Sequence, residues 1–249
     1  MLPEKRVSRP VSKFDRPLLP EPMTYRVVFS KVGNLQFFSH LDLQRTWQRV
    51  LVRASIPMWY TQGFNPHSKI VFGIPLSVGT EGTHEMVDLR IDRAITPDEM
   101  RDQLNAELTD EMQVSAVYIP TTAFSDIAYA TYTVTVSDPS AASVGTDAVE
   151  ALFAPGAAPI LMTKHTKSGD REMDILPLTR EIHAAREADG TLILHATLAA
   201  GGSANLSPEF LVAALREKLG MLTDTEHPDV CWYRILRTGF LCADGSEFR

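Results

Sequence analysis

Cysteine is scarce: Cys231 and Cys242 are the two in 249 residues. Two thiols are too few for a disulfide scaffold, and their spacing is not that of a zinc knuckle. Nor can they hold a four-iron cluster, which takes four thiolates, and no CxxxCxxC run occurs. A reducing cytoplasm is therefore the expected location. No apolar run approaches the roughly 18 residues of a membrane span, so no membrane association is expected. The first 23 residues lack the apolar core and cleavage site of a secretory signal. Positive charge is short as well: 24 Lys and Arg stand against 31 Asp and Glu, a formal net charge of -7. That sign argues against a general nucleic-acid coat protein, whose non-specific affinity needs a positive field. HExxH, GxSxG, Walker and Rossmann patterns are all missing, so no metal and no cofactor are expected.

What remains is an ordinary globular composition, 44% hydrophobic and 22% charged. The length suits one large core or two domains of roughly 100–150 residues. Charge is unevenly spread. From Thr24 to Arg93 there are eight Lys or Arg and five Asp or Glu, a local excess of three positive charges.

Residues 1–23 hold five prolines and scattered basic residues and read as a flexible or extended leader. Tyr25–Ser30 reads as a strand. Ser39 fits a helix N-cap, with Asp42 as its capping-box partner. Leu43, Trp47, Val50, Leu51 and Ala54 then share one helical face, and Pro57 ends the helix. Lys69–Phe72 reads as a strand, with Ile74–Val78 as its continuation past Pro75, and His84–Ile91 as another. Thr96, Pro97 and Glu99 start a second helix, and Met112–Ile119 is the next strand. This is a β-α-β-β-α-β order, the ferredoxin-like arrangement. It recurs in the second half. Ala128–Val136 is a strand and Thr146–Phe153 a helix. Ile160–His165 and Arg171–Pro177 form strands around a Ser168–Gly169 turn. Thr191–Leu198 is a strand, a helix runs from Ser207 to Leu219 with Gly220 as its cap, and Val230–Leu236 closes. The expected fold is α+β, two ferredoxin-like domains in tandem, over residues 24–122 and 123–249.

Arg45, Arg49 and Arg53 repeat at i, i+4 and i+8 and so form one row on the first helix. Such a row serves phosphates, or is simply solvated surface. The loop Thr61–Lys69 packs Gln62, Asn65, His67, Ser68 and Lys69 into a few residues, with Gly63 and Pro66 restricting the backbone and Tyr60 and Phe64 as flanking rings. It reads as a rigid ligand-facing surface, or as a tight turn whose polar groups satisfy its own backbone. His40 and His67 are the acid–base candidates should the protein be an enzyme. Gly201–Gly202–Ser203 is either an anion cradle or a flexible connection. Lys164, His165, Lys167 and Arg171 form a small basic patch diluted by neighbouring carboxylates. Cys231 reads as core and Cys242 as exposed.

The run from Phe37 to Gly82 resembles the radical SAM-linked domain, an uncharacterised bacterial family. The resemblance rests on Phe37, His40, Leu41, Asp42 and Leu43, and on Gln62, Gly63, Phe64, Asn65, Pro66, His67 and Lys69. Lys167–Ser168–Gly169, Asp174–Ile175, Gly201–Gly202 and Arg237–Thr238–Gly239 add to it, and it extends over Thr24 to Leu241. The domain occurs alone or fused to cobalamin-binding-type radical SAM proteins. The early strand and helix are also distantly similar to CRISPR RNA-processing proteins with paired ferredoxin-like domains. The resemblance implies an RNA-binding or substrate-presenting accessory protein, for tRNA or rRNA, beside a radical SAM enzyme on a separate chain. Arg45, Arg49, Arg53 and Lys69 would meet phosphates, Tyr60 and Phe64 would stack, and Gln62, Asn65 and His67 would give directional hydrogen bonds. The alternatives are an RNA-processing or RNA-modifying enzyme using His40 or His67, and a protein-interaction scaffold.

Overall fold

The computed structural model describes residues 12–166, 169–202 and 204–249. The chain is mixed α/β, with mostly antiparallel sheet and four α-helices among the described residues. It divides into two compact units. The first takes residues up to Val78 together with Glu85–Thr121; the second takes Gly79–His84 together with Thr122–Arg249.

The first unit contains β1 (Leu18–Lys31), α1 (His40–Arg53), β2 (Ile70–Phe72), most of β3 (Thr80–Arg93), α2 (Pro97–Asn105) and β4 (Val114–Tyr118). Its strands lie in the order β4-β1-β3-β2. The β1–β4 and β2–β3 pairs are antiparallel. Helix α1 starts where Ser39 Oγ accepts from the Asp42 amide at 3.2 Å. The Asp42 carboxylate accepts from the Ser39 hydroxyl at 2.6 Å instead of from the Ser39 amide, so the reciprocal half of the expected capping box is replaced by a side-chain bond. Leu43, Trp47, Val50 and Leu51 are buried against the sheet, and Trp47 meets Phe29 edge to face at 4.9 Å. Leu89, Ile91, Met100 and Leu104 complete this core.

Residues 1–11 of the expected leader lie outside the described residues. The rest of it is not loose. Arg16 donates to both Glu99 oxygens, at 3.0 and 2.5 Å, and to the Ala94 carbonyl, and β1 already begins at Leu18. Ile74–Val78 does not extend β2, which ends at Phe72.

In the second unit β5 (Ile127–Ser137), β8 (Thr179–Arg186), β9 (Leu192–Ala199) and β10 (Trp232–Cys242) lie in the order β10-β5-β9-β8, all antiparallel. Thr80–Gly82 of β3 pairs in parallel with Ile235–Arg237 of β10. Helices α3 (Thr146–Leu152) and α4 (Glu209–Leu219) contribute Val149, Leu211 and Leu215 to its buried set. Gly220 caps α4 at φ +65, as its position in the sequence implies. One expectation fails in detail. The two strands read at 160–177 form a separate antiparallel ribbon, β6 (Leu161–Thr166) with β7 (Gly169–Asp174), and the sheet position goes to β8 instead. Residues 179–186 read TREIHAAR, with no apolar alternation to announce a strand, because β8 is an edge strand with charge on it.

Candidate functional site

The loop is held shut at its base. Tyr60 and Ser68 form an antiparallel bridge, and the Thr61 amide donates to the His67 carbonyl at 3.0 Å. The His67 amide donates to Thr61 Oγ1 at 3.1 Å. His67 Nδ1 lies 3.1 Å from the same hydroxyl and 3.3 Å from the Asn65 carbonyl oxygen. Main chain and ring of His67 are therefore both fixed by residues of the loop itself. Gly63 takes φ +136, which a side chain would strain, and this lets the loop turn at its tip. Gln62, Phe64, Asn65, Pro66 and Lys69 are exposed, Phe64 completely.

Beside the loop lies a cleft of about 380 Å³. One wall is the C-terminal end of α1 and the chain after it: Leu51, Val52, Ile56 and Met58. Tyr60, His67 and Ser68 face them from the loop. Gln48 and Ser55 add polar groups, the latter in a left-handed conformation at φ +55 just past the helix end. Ser12 and Phe14 close the remaining side, on the segment that Arg16 anchors to Glu99.

The arginine row is on the exposed face of α1. A shallow groove runs along Arg45, Gln48, Arg49, Val52 and Arg53. Gln48 and Val52 line the cleft as well, so the row and the loop-side cleft share a border. The three arginines are not equivalent. Arg53 pairs with Glu107 at 2.7 Å, and Arg45 lies 4.0 Å from Asp42. Arg49 has no ion pair among the described residues.

His40 stands apart from His67. It opens α1 and packs edge to face on Phe72 at 5.3 Å. Val52, at the cleft, is about 18 Å further along the axis at 1.5 Å per residue. His67 lines the cleft and His40 does not. The two histidines do not form one acid–base pair in a common pocket.

Several family-like positions have structural work. Asp174 Oδ1 accepts from the Ile160 and Leu176 amides at 3.0 and 3.1 Å. A Cβ on Gly201 would come 3.0 Å from the Ile127 carbonyl oxygen, so this glycine permits close backbone packing. Arg237 is buried over the Phe240 ring at 4.7 Å, and Thr238 bonds Thr131 at 2.9 Å. Lys167, Ser168 and Ser203 lie outside the described residues, as do the side chain of His165 and the turn read at Ser168–Gly169 in part. Cys231 lies just before β10, half-buried, and burial pushes its thiol up, away from reactivity. Cys242 is half-buried too, and not the exposed thiol expected. Among the described residues no cluster of three or more His, Cys, Asp or Glu could hold a metal, and no helix is long and apolar enough to cross a membrane.

Residues 24–208 match the model of a family described as "Uncharacterized protein conserved in bacteria (DUF2344)". No curated protein matches the chain. Among solved structures, the chain is similar to an unknown protein from Galdieria sulphuraria at 16% identity, with 86% of this chain and 96% of that one covered and a TM-score of 0.26. It is similar to DyPB from Rhodococcus jostii RHA1 at 14% identity, with 84% and 88% covered and a TM-score of 0.19. At such scores neither likeness carries an argument about fold or chemistry.

Proposed function

The chain belongs to this uncharacterised bacterial family, and from that premise we propose that it is an RNA-binding or substrate-presenting accessory protein of the cytoplasm. Its RNA is tRNA or rRNA, and its partner is a radical SAM enzyme on another chain. The partner rests on the resemblance of the QGFNPH segment to the radical SAM-linked domain. The observation that carries the RNA reading is the border between two surfaces. An exposed arginine row meets a cleft walled by a pre-formed loop, and a fully exposed Phe64 stands at that loop's tip. A loop already fixed by its own hydrogen bonds loses little freedom on binding. Phosphates on Arg45 and Arg49, with Lys69 at the end of the loop, would supply attraction, and Tyr60 and Phe64 would supply stacking. Arg53 contributes less, because Glu107 already neutralises it.

We read the fold as two ferredoxin-like units, close to residues 24–122 and 123–249. The strand orders β4-β1-β3-β2 and β10-β5-β9-β8 support this, with one helix after the first strand and one after the third in each.

The test is tRNA and rRNA-fragment binding measured across salt concentration. Each phosphate contact removed should lower the slope of log K against log salt by roughly 0.7–0.9. Arg45→Glu with Arg49→Glu should lower it by about two such steps. Absence of binding, or binding unchanged by the double reversal, sinks the reading. For the alternative, an RNA-processing or RNA-modifying enzyme using His40 or His67, absence of RNA turnover, or turnover that survives both His40→Ala and His67→Ala, would remove it.

A further inference from the structure

We propose that the cleft between the end of α1 and the loop is a pocket for one unstacked base of a single-stranded RNA, with the adjoining phosphate on the Arg45–Arg49 face. This rests on the RNA-binding reading and says where the base goes. The volume, about 380 Å³, is at the lower end of the roughly 300–1,000 Å³ usual for small-ligand sites. It suits one ring system and not a folded helix. Its floor is apolar, from Leu51, Val52, Ile56 and Met58, and its polar groups come from the loop and from Gln48 and Ser55. A flat heterocycle with hydrogen-bonding edges fits that division. Tyr60 lines the cleft from the loop side, a ring type suited to stacking.

His67 supplies direction. Its Nδ1 lies 3.1 Å from the Thr61 hydroxyl and 3.3 Å from the Asn65 carbonyl oxygen, so in either tautomer that nitrogen is engaged within the loop and Nε2 is the one left for a ligand. Nε2 then offers one directional hydrogen bond, as donor or acceptor according to the tautomer, to a base edge. The ring is clamped before any ligand arrives, by the Thr61 hydroxyl on one side and the Asn65 carbonyl on the other. The phosphate has a place because Gln48 and Val52 belong to both the cleft and the arginine groove. A base seated against Val52 leaves its backbone at the edge where Arg49 has no ion pair among the described residues.

The experiment titrates the full chain with AMP, GMP, CMP and UMP, and separately with a single-stranded oligoribonucleotide. Two variants are compared with the parent, both checked by circular dichroism and melting. Val52→Trp fills the cleft from a side chain that is 70% exposed, outside the core. His67→Phe keeps a ring and removes its hydrogen-bonding nitrogens. The expected result is binding of at least one monophosphate, lost tenfold or more in both variants. Oligonucleotide affinity falls with it, while its salt slope stays unchanged. If the oligonucleotide binds all three proteins equally, the cleft is not the base pocket, although RNA binding stands. If monophosphates bind and the variants block them but no oligonucleotide binds, the RNA reading fails and a mononucleotide pocket remains. If neither ligand binds, both are overturned.

Discussion

Phe64 and Asp138 show two ways in which a single residue is committed. Phe64 has no packing to lose, since its ring is wholly in solvent. Replacing it by Ala should leave stability within about 0.5 kcal/mol, the usual range for surface changes. If it stacks on a base, the same change should weaken single-stranded RNA binding by about 1–3 kcal/mol. Melting curves and binding titrations on one preparation separate the two. Asp138 is the opposite case, buried and fully engaged. Burial alone pushes its carboxyl up. The Ser140 hydroxyl and the amides of Leu222, Ala141 and Ser140 outweigh this and hold it below the ordinary carboxylate range. One of those amides belongs to Leu222, a non-glycine residue at φ +54. A carboxyl whose pKa is lower in the folded than in the unfolded chain stabilises above its unfolded pKa, about 3.9. That stability is lost as pH falls through the lower folded value. Asp138→Asn should therefore cost about 1–3 kcal/mol at pH 7. The gap should narrow below about pH 4, a trend that urea unfolding at several pH values will show or refute.

At the level of elements, α1 carries three roles on three faces: core, arginine row and cleft wall. Removing its cap with Ser39→Ala should cost about 0.5–2 kcal/mol. The loss should appear in thermal unfolding, with amide exchange fastest in the first turn. This helix is the element most legible in the sequence. Its cap, its 3.6-residue apolar spacing and its stop at Pro57 all act locally, so no tertiary knowledge is needed. The arginine row follows from the same spacing. The cleft was not legible. Leu51, Ile56 and Met58 look like core residues, and Ser12 and Phe14 reach the site only because Arg16 is tied to Glu99, far along the chain. His40 and His67 stood together as acid–base candidates because sequence gives residue type and not the pocket a side chain reaches. Strand β8 was missed for a related reason: an edge strand protected by charge has given up the apolar alternation by which strands are recognised.

For the whole molecule, net acidity and a basic site coexist because charge is distributed by segment. A total of -7 weakens long-range attraction to RNA. It leaves the short-range field along α1 to its own arginines and their carboxylate partners. Binding should accordingly fall more steeply with salt than the total charge implies, with Arg49 the largest single contributor. The mixed α+β class was legible at coarse scale, because helical and strand periodicities act locally. The ownership of Gly79–His84 was not. A strand pair is a long-range contact, and nothing local in TEGTHE points to Ile235–Arg237.

That borrowed strand end has a consequence for fragments of the chain. Residues 122–249 expressed alone would keep β5 to β10 and lose Thr80–Gly82, the parallel neighbour of β10. One flank of β10 would then carry open amides and carbonyls, a template for another chain. Such a fragment should self-associate, and a synthetic peptide of residues 79–93 added in trans should return it to monomer. Gly79–His84 belongs to the second unit although the chain delivers it from within the first, so a cut at residue 122 takes away a part of the second unit's own sheet.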